Sequence, residues 1–243
     1  MKCPSCGFEP GGKTKRLPVR EARQGCIFIA NNIKCYSDTA LFLLHSGMGF
    51  RRMPYIIAVL GMDEAGKVLK IIKKSIEAEG ASPVETIEIE NWYAHWAKGT
   101  VAGELGTLTI EWLTEILKSD PFMVRNGELK DQEFLTRYRT HLQRLKDSFS
   151  DERNSMIYID YEEGMRTWSI PEAPKFDVVL FDVLLLSLLS TIVINHLDKG
   201  RSFLELDSVI RSIKDCKDLG NALAALDANA GTSLSEVWKA LRA

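Results

Sequence analysis

The sequence predicts a mainly helical bundle, all-α in class, with one small β-hairpin. Apolar residues recur at steps of three and four from Ile29 to Leu43, a spacing that places them on one face of a helix. A second segment, about 52–78, carries an unbroken apolar stripe of the same kind. At about 156–170, two short runs rich in β-branched and aromatic residues flank a turn that contains glycine, which is typical of a hairpin.

The first two predicted helices are joined by the short linker GMGF, residues 47–50, which favours an antiparallel pair. A further amphipathic helix is predicted over 129–149. The last part of the chain is again helical in pattern, at about 176–197, 203–216 and 232–242.

The stretch 84–119 is ambiguous. Residues 84–90, VETIEIE, alternate like a strand, whereas the remainder has a helical pattern interrupted by glycines. An alternative interpretation joins 54–60 and 84–90 as parallel strands of a βαβ unit. We favour a helix over 54–60, because the apolar stripe of the second helix continues from Ile57 through Ile72.

Composition and charge exclude several classes of protein. Hydrophobic residues make up 45% of the chain and charged residues 26%, a balance typical of a folded globular protein and not of a disordered one. The formal net charge of −2 excludes a wholly basic surface of the kind that neutralises DNA phosphates. We therefore expect no duplex DNA as a partner.

The most apolar stretch, 176–195, is interrupted by Asp177 and Asp182. Its uncharged part, Val183–Ile194, is shorter than the roughly 20 apolar residues that a transmembrane helix needs, so the pattern predicts a helix buried inside the protein. The first residues of the chain lack the apolar core of a secretory signal. We therefore expect a cytoplasmic protein with no membrane partner.

Residues 1–24 are predicted to be a cysteine knuckle and a basic linker, because they are rich in proline, glycine and positive charge. Residues 25–243 are predicted to form the helical domain. Cys3 and Cys6, in CPSCG, have the spacing of half a zinc site, and a complete structural site has four ligands. Either a histidine or a second chain completes the site, or the two cysteines are free thiols. A structural zinc is the only metal that the sequence suggests, and no cofactor is required.

The block MDEAGK, residues 62–67, places charged residues on an apolar helix. Counted at 100° per residue from Ile57, Glu64 is predicted to lie in the middle of the apolar stripe and Lys67 at its edge, with Asp63 four residues before Lys67. A carboxylate on a packed face costs several kcal/mol unless a partner satisfies it. The block therefore predicts either an intramolecular ion pair or a site that lines a groove between helices.

The passage 30–71 resembles the paired helices of the AbiV family of abortive-infection proteins, which belongs to the HEPN superfamily of helical bundles. The first helix of that family carries an Asn, an aromatic residue or Leu, and an Asp, and the corresponding positions here are Asn32, Tyr36 and Asp38. The second helix of the family ends in an acidic pair followed by Gly-Lys, matched here by Asp63, Glu64, Gly66 and Lys67.

A third similarity follows further along the chain, where 156–171 resembles the short tyrosine-containing hairpin of the family. The resemblance implies a HEPN-like bundle that acts in phage resistance by abortive infection, as a homodimer, with a phage protein or RNA as partner. One mechanism that it implies is a binding or effector module that interferes with phage propagation or host translation. A helical regulatory protein unrelated to defence is the alternative that does not depend on the resemblance.

A second mechanism is that of a metal-independent ribonuclease. HEPN proteins that cleave RNA resemble one another in an Arg-x4–6-His motif, in which the histidine acts on the 2′-hydroxyl or the leaving group and the arginine stabilises charge on the phosphate. Here Arg137 and His141 are the candidate catalytic pair. Only three residues separate them, which falls short of the motif but places both on one face of a helix.

Overall fold

The computed structural model describes residues 14–46, 52–79, 85–90, 92, 124–125, 128–129, 132–157, 160–162, 167–169 and 174–211. Over these residues the protein is mostly helical, as the sequence predicts. The described helices are α1 (Val19–His45), α2 (Arg52–Glu77), α3 (Gln132–Ile157), α4 (Phe176–Asp198) and α5 (Phe203–Arg211). The first part of the predicted knuckle and linker, residues 1–13, and the predicted helix at 232–242 lie outside the described residues.

Helices α1, α2 and α4 pack together around the main apolar core. On α1 the fully buried positions are mostly small, and they recur at steps of three and four: Ala22, Cys26, Ala30, Ile33, Ser37 and Ala40. Small side chains on the packed face let the neighbouring helices approach closely, because interaxial distance follows the side chains at the contact.

One contact shows the relative direction of α1 and α4, and another shows how closely α2 approaches α4. Arg23, near the start of α1, donates hydrogen bonds to the carbonyl oxygens of Leu197 and Arg201, at the end of α4 and just beyond it. Helices α1 and α4 are therefore antiparallel. Gly61 of α2 faces Leu186 of α4, and a methyl group on Gly61 would lie 2.6 Å from Leu186 Cδ1. Only glycine permits this close approach of α2 to α4 without displacement of the leucine.

Helix α4 is the most apolar of the described helices. Within the described part of the chain, its span Val178–Asp198 is the only helix that is long and apolar enough to cross a membrane. Because 72% of this span is buried inside the protein, it has the character of a core helix. Its buried face contacts α1, α2 and α5. Gly200, whose φ of 72° favours glycine, follows the end of the helix.

A two-stranded antiparallel sheet lies beside the start of α1. Strand β1 (Lys15–Pro18) pairs with β2 (Thr86–Ile89) along the whole length of both strands. In β2 the buried residues Ile87 and Ile89 alternate with exposed ones, as the pattern VETIEIE predicts. The βαβ alternative is wrong, because 54–60 lies in α2 and the partner of β2 is antiparallel.

The basic linker predicted before residue 25 is wrong over its last part. Residues 15–18 form β1, and α1 begins at Val19, so the predicted boundary between residues 24 and 25 lies inside α1. The side chain of Leu17 packs on the apolar core, and this contact holds residues 15–18 against the protein as a strand. Pro18 explains the start of the helix, because a proline at a helix N-terminus lacks an N–H group that would have no helical acceptor there.

The predicted hairpin is confirmed between α3 and α4. Strand β5 (Asp160–Glu162) pairs antiparallel with β6 (Thr167–Ser169), and both strands lie within the predicted range 156–170. Its first strand starts later than predicted, because α3 continues to Ile157. A further two-stranded sheet, β3 (Val124–Arg125) with β4 (Glu128–Leu129), precedes α3, so the helix predicted over 129–149 begins three residues late.

Arg23 gives a test of this packing. Its guanidinium donates to Leu197 O at 2.7 Å and to Arg201 O at 2.8 Å, and so satisfies carbonyl groups at the end of α4. We expect Arg23→Met to lower the free energy of unfolding by about 1–2 kcal/mol, toward the low end of the range for hydrogen bonds to charged groups, because one of the two bonds is exposed. Urea unfolding followed by circular dichroism measures the change.

The matched control for Arg23 is Arg20→Met. Arg20 is exposed and lies 3.8 Å from Glu21, its neighbour on the same helix. An exposed contact of this kind contributes little, and we expect a change within about 0.5 kcal/mol. Equal losses in the two variants would contradict the role given to Arg23.

Candidate functional site

A buried polar cluster joins α3 to α4. The Tyr138 hydroxyl of α3 donates a hydrogen bond of 3.0 Å to Asp182 Oδ1 of α4, and His141 Nε2 lies 2.7 Å from Asp182 Oδ2. The exposed fraction is 0% for Tyr138, 1% for Asp182 and 7% for His141. We call these three residues the His–Asp–Tyr cluster.

The sequence places these groups together in a simple way. Tyr138 and His141 are three residues apart on α3, so both side chains leave the same face of the helix. Asp182 lies in the middle of the apolar helix α4, where an unsatisfied carboxylate would cost several kcal/mol. Because a carboxylate only accepts, His141 Nε2 carries the hydrogen and each carboxylate oxygen receives one donor.

Aromatic rings enclose the cluster. The ring of Tyr55, from α2, lies 5.8 Å from the His141 ring, and Phe181 lies 5.3 Å from the ring of Tyr138. Burial raises the pKa of Tyr138 well above its ordinary value, and the charge of Asp182 and the hydrogen bond to it raise the pKa further. The phenol is therefore held in its neutral, hydrogen-bond-donating form.

The candidate catalytic pair, Arg137 and His141, lies one turn apart on α3, with Arg137 half-buried and His141 buried. A histidine that acts on RNA must come within about 3 Å of the ribose hydroxyl. In this arrangement the imidazole is covered by α2 and α4, and its Nε2 is bonded to Asp182. Packing and the Asp182 bond thus account for His141 without a substrate.

The ion pair predicted in the MDEAGK block is present. Lys67 Nζ lies 2.5 Å from Glu64 Oε1, and both side chains are about one-fifth exposed. The ammonium group also lies 5.9 Å from the centre of the Trp92 ring, within the range of a cation–π contact. The Glu64–Lys67 pair is therefore held in place by the contact with Trp92, while both side chains remain partly exposed to solvent.

The predicted position of Glu64 within the apolar stripe is wrong. The buried side of α2 is centred near Ala58 and Met62, and Ile57, from which the stripe was measured, is only partly buried. Because α2 packs against α1, α3, α4 and β2, it buries a much wider arc than a helix at a surface does. Glu64 therefore lies at the edge of the packed face, and the buried acidic residue of the block is Asp63, 7% exposed.

The ion pair and the buried cluster are separate sites. Glu64 follows Tyr55, which contacts His141, by nine residues on α2. Nine helical residues span about 13 Å along the axis and turn the side chain to the opposite side of the helix. The structure therefore brings Glu64 and Lys67 together, and it brings His141 to Asp182 and Tyr138.

The remaining predicted site residues lie elsewhere. Asn32 and Asp38 are on the exposed face of α1, where Asp38 pairs with Lys34 at 3.1 Å. Cys3 and Cys6, the predicted half-site for zinc, lie outside the described residues. Within the part of the chain that the structure describes, no three His, Cys, Asp or Glu side chains are grouped as metal ligands would be.

Asp182 is the residue of the cluster whose role the sequence analysis missed. It interrupts the most apolar stretch of the chain, and an acidic residue in such a helix signals a buried partner. Tyr138 carried no comparable signal, since an aromatic residue on an amphipathic helix is normally a core residue.

Comparison with known proteins gives no relatives. The chain matches no protein-family model, no curated protein and no solved structure. The resemblance to the AbiV family therefore stays a prediction that rests on the sequence motifs.

The His–Asp–Tyr cluster can be tested by removing its acceptor. Asp182→Ala leaves the hydroxyl of Tyr138 and Nε2 of His141 without their shared acceptor in the interior. We expect the free energy of unfolding to fall by about 3 kcal/mol or more, the range for breaking a buried charged network. Tyr138→Phe removes one hydrogen bond and leaves Asp182 its contact with His141, so we expect a smaller loss of about 1.5–2 kcal/mol, at the low end of the range for hydrogen bonds to a charged group. Urea unfolding of both variants measures the difference, and equal small losses would contradict a coupled cluster.

The raised pKa of Tyr138 predicts a dependence of stability on alkaline pH. Above a pH of about 10, the ordinary pKa of tyrosine, Tyr138 loses its proton in the unfolded chain while the folded chain keeps it. Stability should then fall by about 1.4 kcal/mol per pH unit from this one group. Tyr138→Phe should remove that part of the slope, whereas Tyr36→Phe, on the half-buried side of α1, should leave it. Urea unfolding between pH 8 and about 11 gives the slopes.

Proposed function

We propose that this protein is an abortive-infection effector that acts by binding a phage protein, and that it does not cleave RNA. The observation that carries the choice between these mechanisms is the burial of His141. Its ring is 7% exposed and its Nε2 is hydrogen-bonded to Asp182, so the imidazole that a ribonuclease would use is buried and already has a partner. The link to phage defence rests on the motifs that resemble the AbiV family.

The ion pair of α2 supports the binding mechanism. Glu64 and Lys67 are restrained by each other and by the Trp92 ring, and both are accessible in part. Charged side chains that are already ordered lose less entropy when a partner binds, so they are suited to recognition. The same residues are those that match the acidic Gly-Lys block of the family, which makes the Glu64–Lys67 pair the proposed contact with the phage protein.

Phage protection tests the proposed contact. The double variant Glu64→Gln/Lys67→Met removes both charges and keeps the size of the side chains. We expect protection to be lost in a plaque assay, while the free energy of unfolding changes by no more than about 1 kcal/mol because the pair is partly exposed.

Helix α2 offers a matched control. Lys74 and Glu77 form another pair with three-residue spacing, 2.6 Å apart and more exposed. The variant Lys74→Met/Glu77→Gln should keep full protection. Retained protection in the Glu64/Lys67 variant would contradict the proposed contact, and a wild-type chain that protects against none of a panel of phages would favour a regulator unrelated to defence.

His141 provides the test against the ribonuclease mechanism. His141→Gln keeps a hydrogen-bond donor that reaches toward Asp182, so the variant should fold. We expect the wild-type chain and this variant to leave a mixed RNA substrate equally intact, and to protect equally against phage. Metal-free RNA cleavage by the wild-type chain that is lost in a folded His141→Gln variant would overturn the binding mechanism in favour of the ribonuclease.

A further inference from the structure

His196, on the last turn of α4, is a buried titratable residue that takes no part in the candidate site. Its side chain is 6% exposed, and its Nε2 atom has no hydrogen-bond partner among the described residues. The carboxylate oxygen Oε2 of Glu205, on α5, lies 3.9 Å from Nε2, which is beyond hydrogen-bonding distance. His196 is therefore a buried imidazole that lies close to an acid without being bonded to it.

Glu205 already has another partner, Ser202, at the start of α5. Its Oε2 accepts a hydrogen bond of 3.0 Å from the backbone N–H of Ser202, and its own backbone N–H donates to the Ser202 hydroxyl at 3.1 Å. This reciprocal pair is a capping box, which provides acceptors for two backbone N–H groups at a helix N-terminus. The carboxylate that lies beside His196 therefore also stabilises the first turn of α5.

Helix α5 depends on its neighbours for stability. It has nine residues, fewer than an isolated helix needs in order to be stable in water. Its buried side chains, Leu206 and Ile210, pack on the apolar core, and the helix contacts α2 and α4. Gly200, with its φ of 72°, lies in the short connection between α4 and α5. A modest change in free energy at the junction of α4 and α5 is therefore enough to shift the attachment of α5.

Among the described residues, three charged side chains act on the imidazole of His196: Arg23 from α1, Arg201 from the connection, and Glu205 from α5. Burial lowers the pKa of His196 below its ordinary value of 6.5, and the charges of Arg201 and Arg23 lower the pKa further. A polar contact with the backbone of Ser202 and the charge of Glu205 oppose this shift without outweighing it. The surroundings of His196 therefore favour the neutral imidazole.

We propose that His196 is a pH switch, which keeps α5 on the bundle while the imidazole is neutral and releases α5 when the imidazole is protonated. A protonated ring carries an N–H on both nitrogens, and Nε2 has no acceptor within hydrogen-bonding distance. The ring also adds a positive charge beside those of Arg23 and Arg201. Glu205 reaches the new N–H only by moving toward Nε2, which disturbs its hydrogen bond with Ser202. Hydration of the charged ring instead requires α5 to move away, so both responses weaken the attachment of α5.

The lowered pKa of His196 sets the direction of the response. When α5 is released, the imidazole meets water and its pKa returns to about 6.5, so the released form binds a proton more readily than the attached form. The attached form is therefore fully favoured above that pH. It loses stability as the pH falls through about 6.5, until the imidazole of the attached form is protonated as well. Acid is thus expected to release α5, and neutral pH to restore it.

Hydrogen exchange of the full chain, followed by mass spectrometry and corrected for the intrinsic effect of pH on exchange, measures this release. We expect the opening of the α5 amides to increase about fivefold or more between about pH 7 and about pH 5, while the middle of α1 keeps its protection. His196→Phe keeps an aromatic ring and has no titratable group, so its α5 should stay protected at both values. No acid response in the wild-type chain, an equal response in α1, or a response that survives in a folded His196→Phe variant overturns the pH switch.

Two exposed residues test the pH switch without changing the buried ring. Arg201→Gln removes a positive charge near the imidazole, so the acid response of α5 should become smaller. Glu205→Gln keeps an acceptor for the Ser202 N–H and removes the nearby negative charge, so the response should become larger. Lys199→Gln is the matched control, because Lys199 is exposed and is not among the charges that act on His196. Shifts of the wrong sign in the Arg201 and Glu205 variants, or shifts no larger than that of Lys199→Gln, overturn the proposal.

Discussion

The carboxylate of Asp182 is the constraint on which the arrangement of α3 depends. Helix α4 is apolar on nearly all sides, so hydrophobicity alone does not select the face that packs against α3. A buried carboxylate narrows that choice, because it must be met by donors at hydrogen-bonding distance. Tyr138 and His141 supply these donors from a single face of α3. The apolar surface thus drives the association of the helices, and the polar contact selects one register among those available.

This use of His141 also limits what the chain can do. A histidine that accepts and releases protons in catalysis needs access to the substrate and freedom to change its hydrogen-bonding partner. His141 has a negatively charged partner in the interior, and the Tyr55 ring lies beside it. Moving the imidazole to solvent would leave Asp182 with one donor and open the contact with α2. These contacts give His141 a structural role at the junction of α2, α3 and α4.

The sequence predicted the helices better than the relations between them. Apolar periodicity gave α2 to within one residue of its end, and the turn signal gave the hairpin. The face of α2 was misjudged because periodicity assumes one packed side, whereas α2 has neighbours on several. The partners of Asp182 could not be predicted, for a different reason. His141 is 41 residues away in the chain, and no local sequence pattern indicates such a contact. Strand β1 was missed because its partner, β2, is more than 60 residues away, and four residues carry little signal alone.

The packing of α2 restricts how a partner at Glu64 and Lys67 could act. Gly61 is pressed against Leu186 of α4, and Tyr55 lies against His141 of α3. Sliding or tilting α2 would separate Tyr55 from His141 or drive the Gly61 backbone into Leu186, and a packed interior resists both. The Glu64–Lys67 pair therefore lies on a helix, α2, whose packing leaves it little freedom to move. Recognition at this pair is expected to proceed by docking onto a preformed surface, and any signal passed onward must come from the covering of that surface and not from a shift of α2.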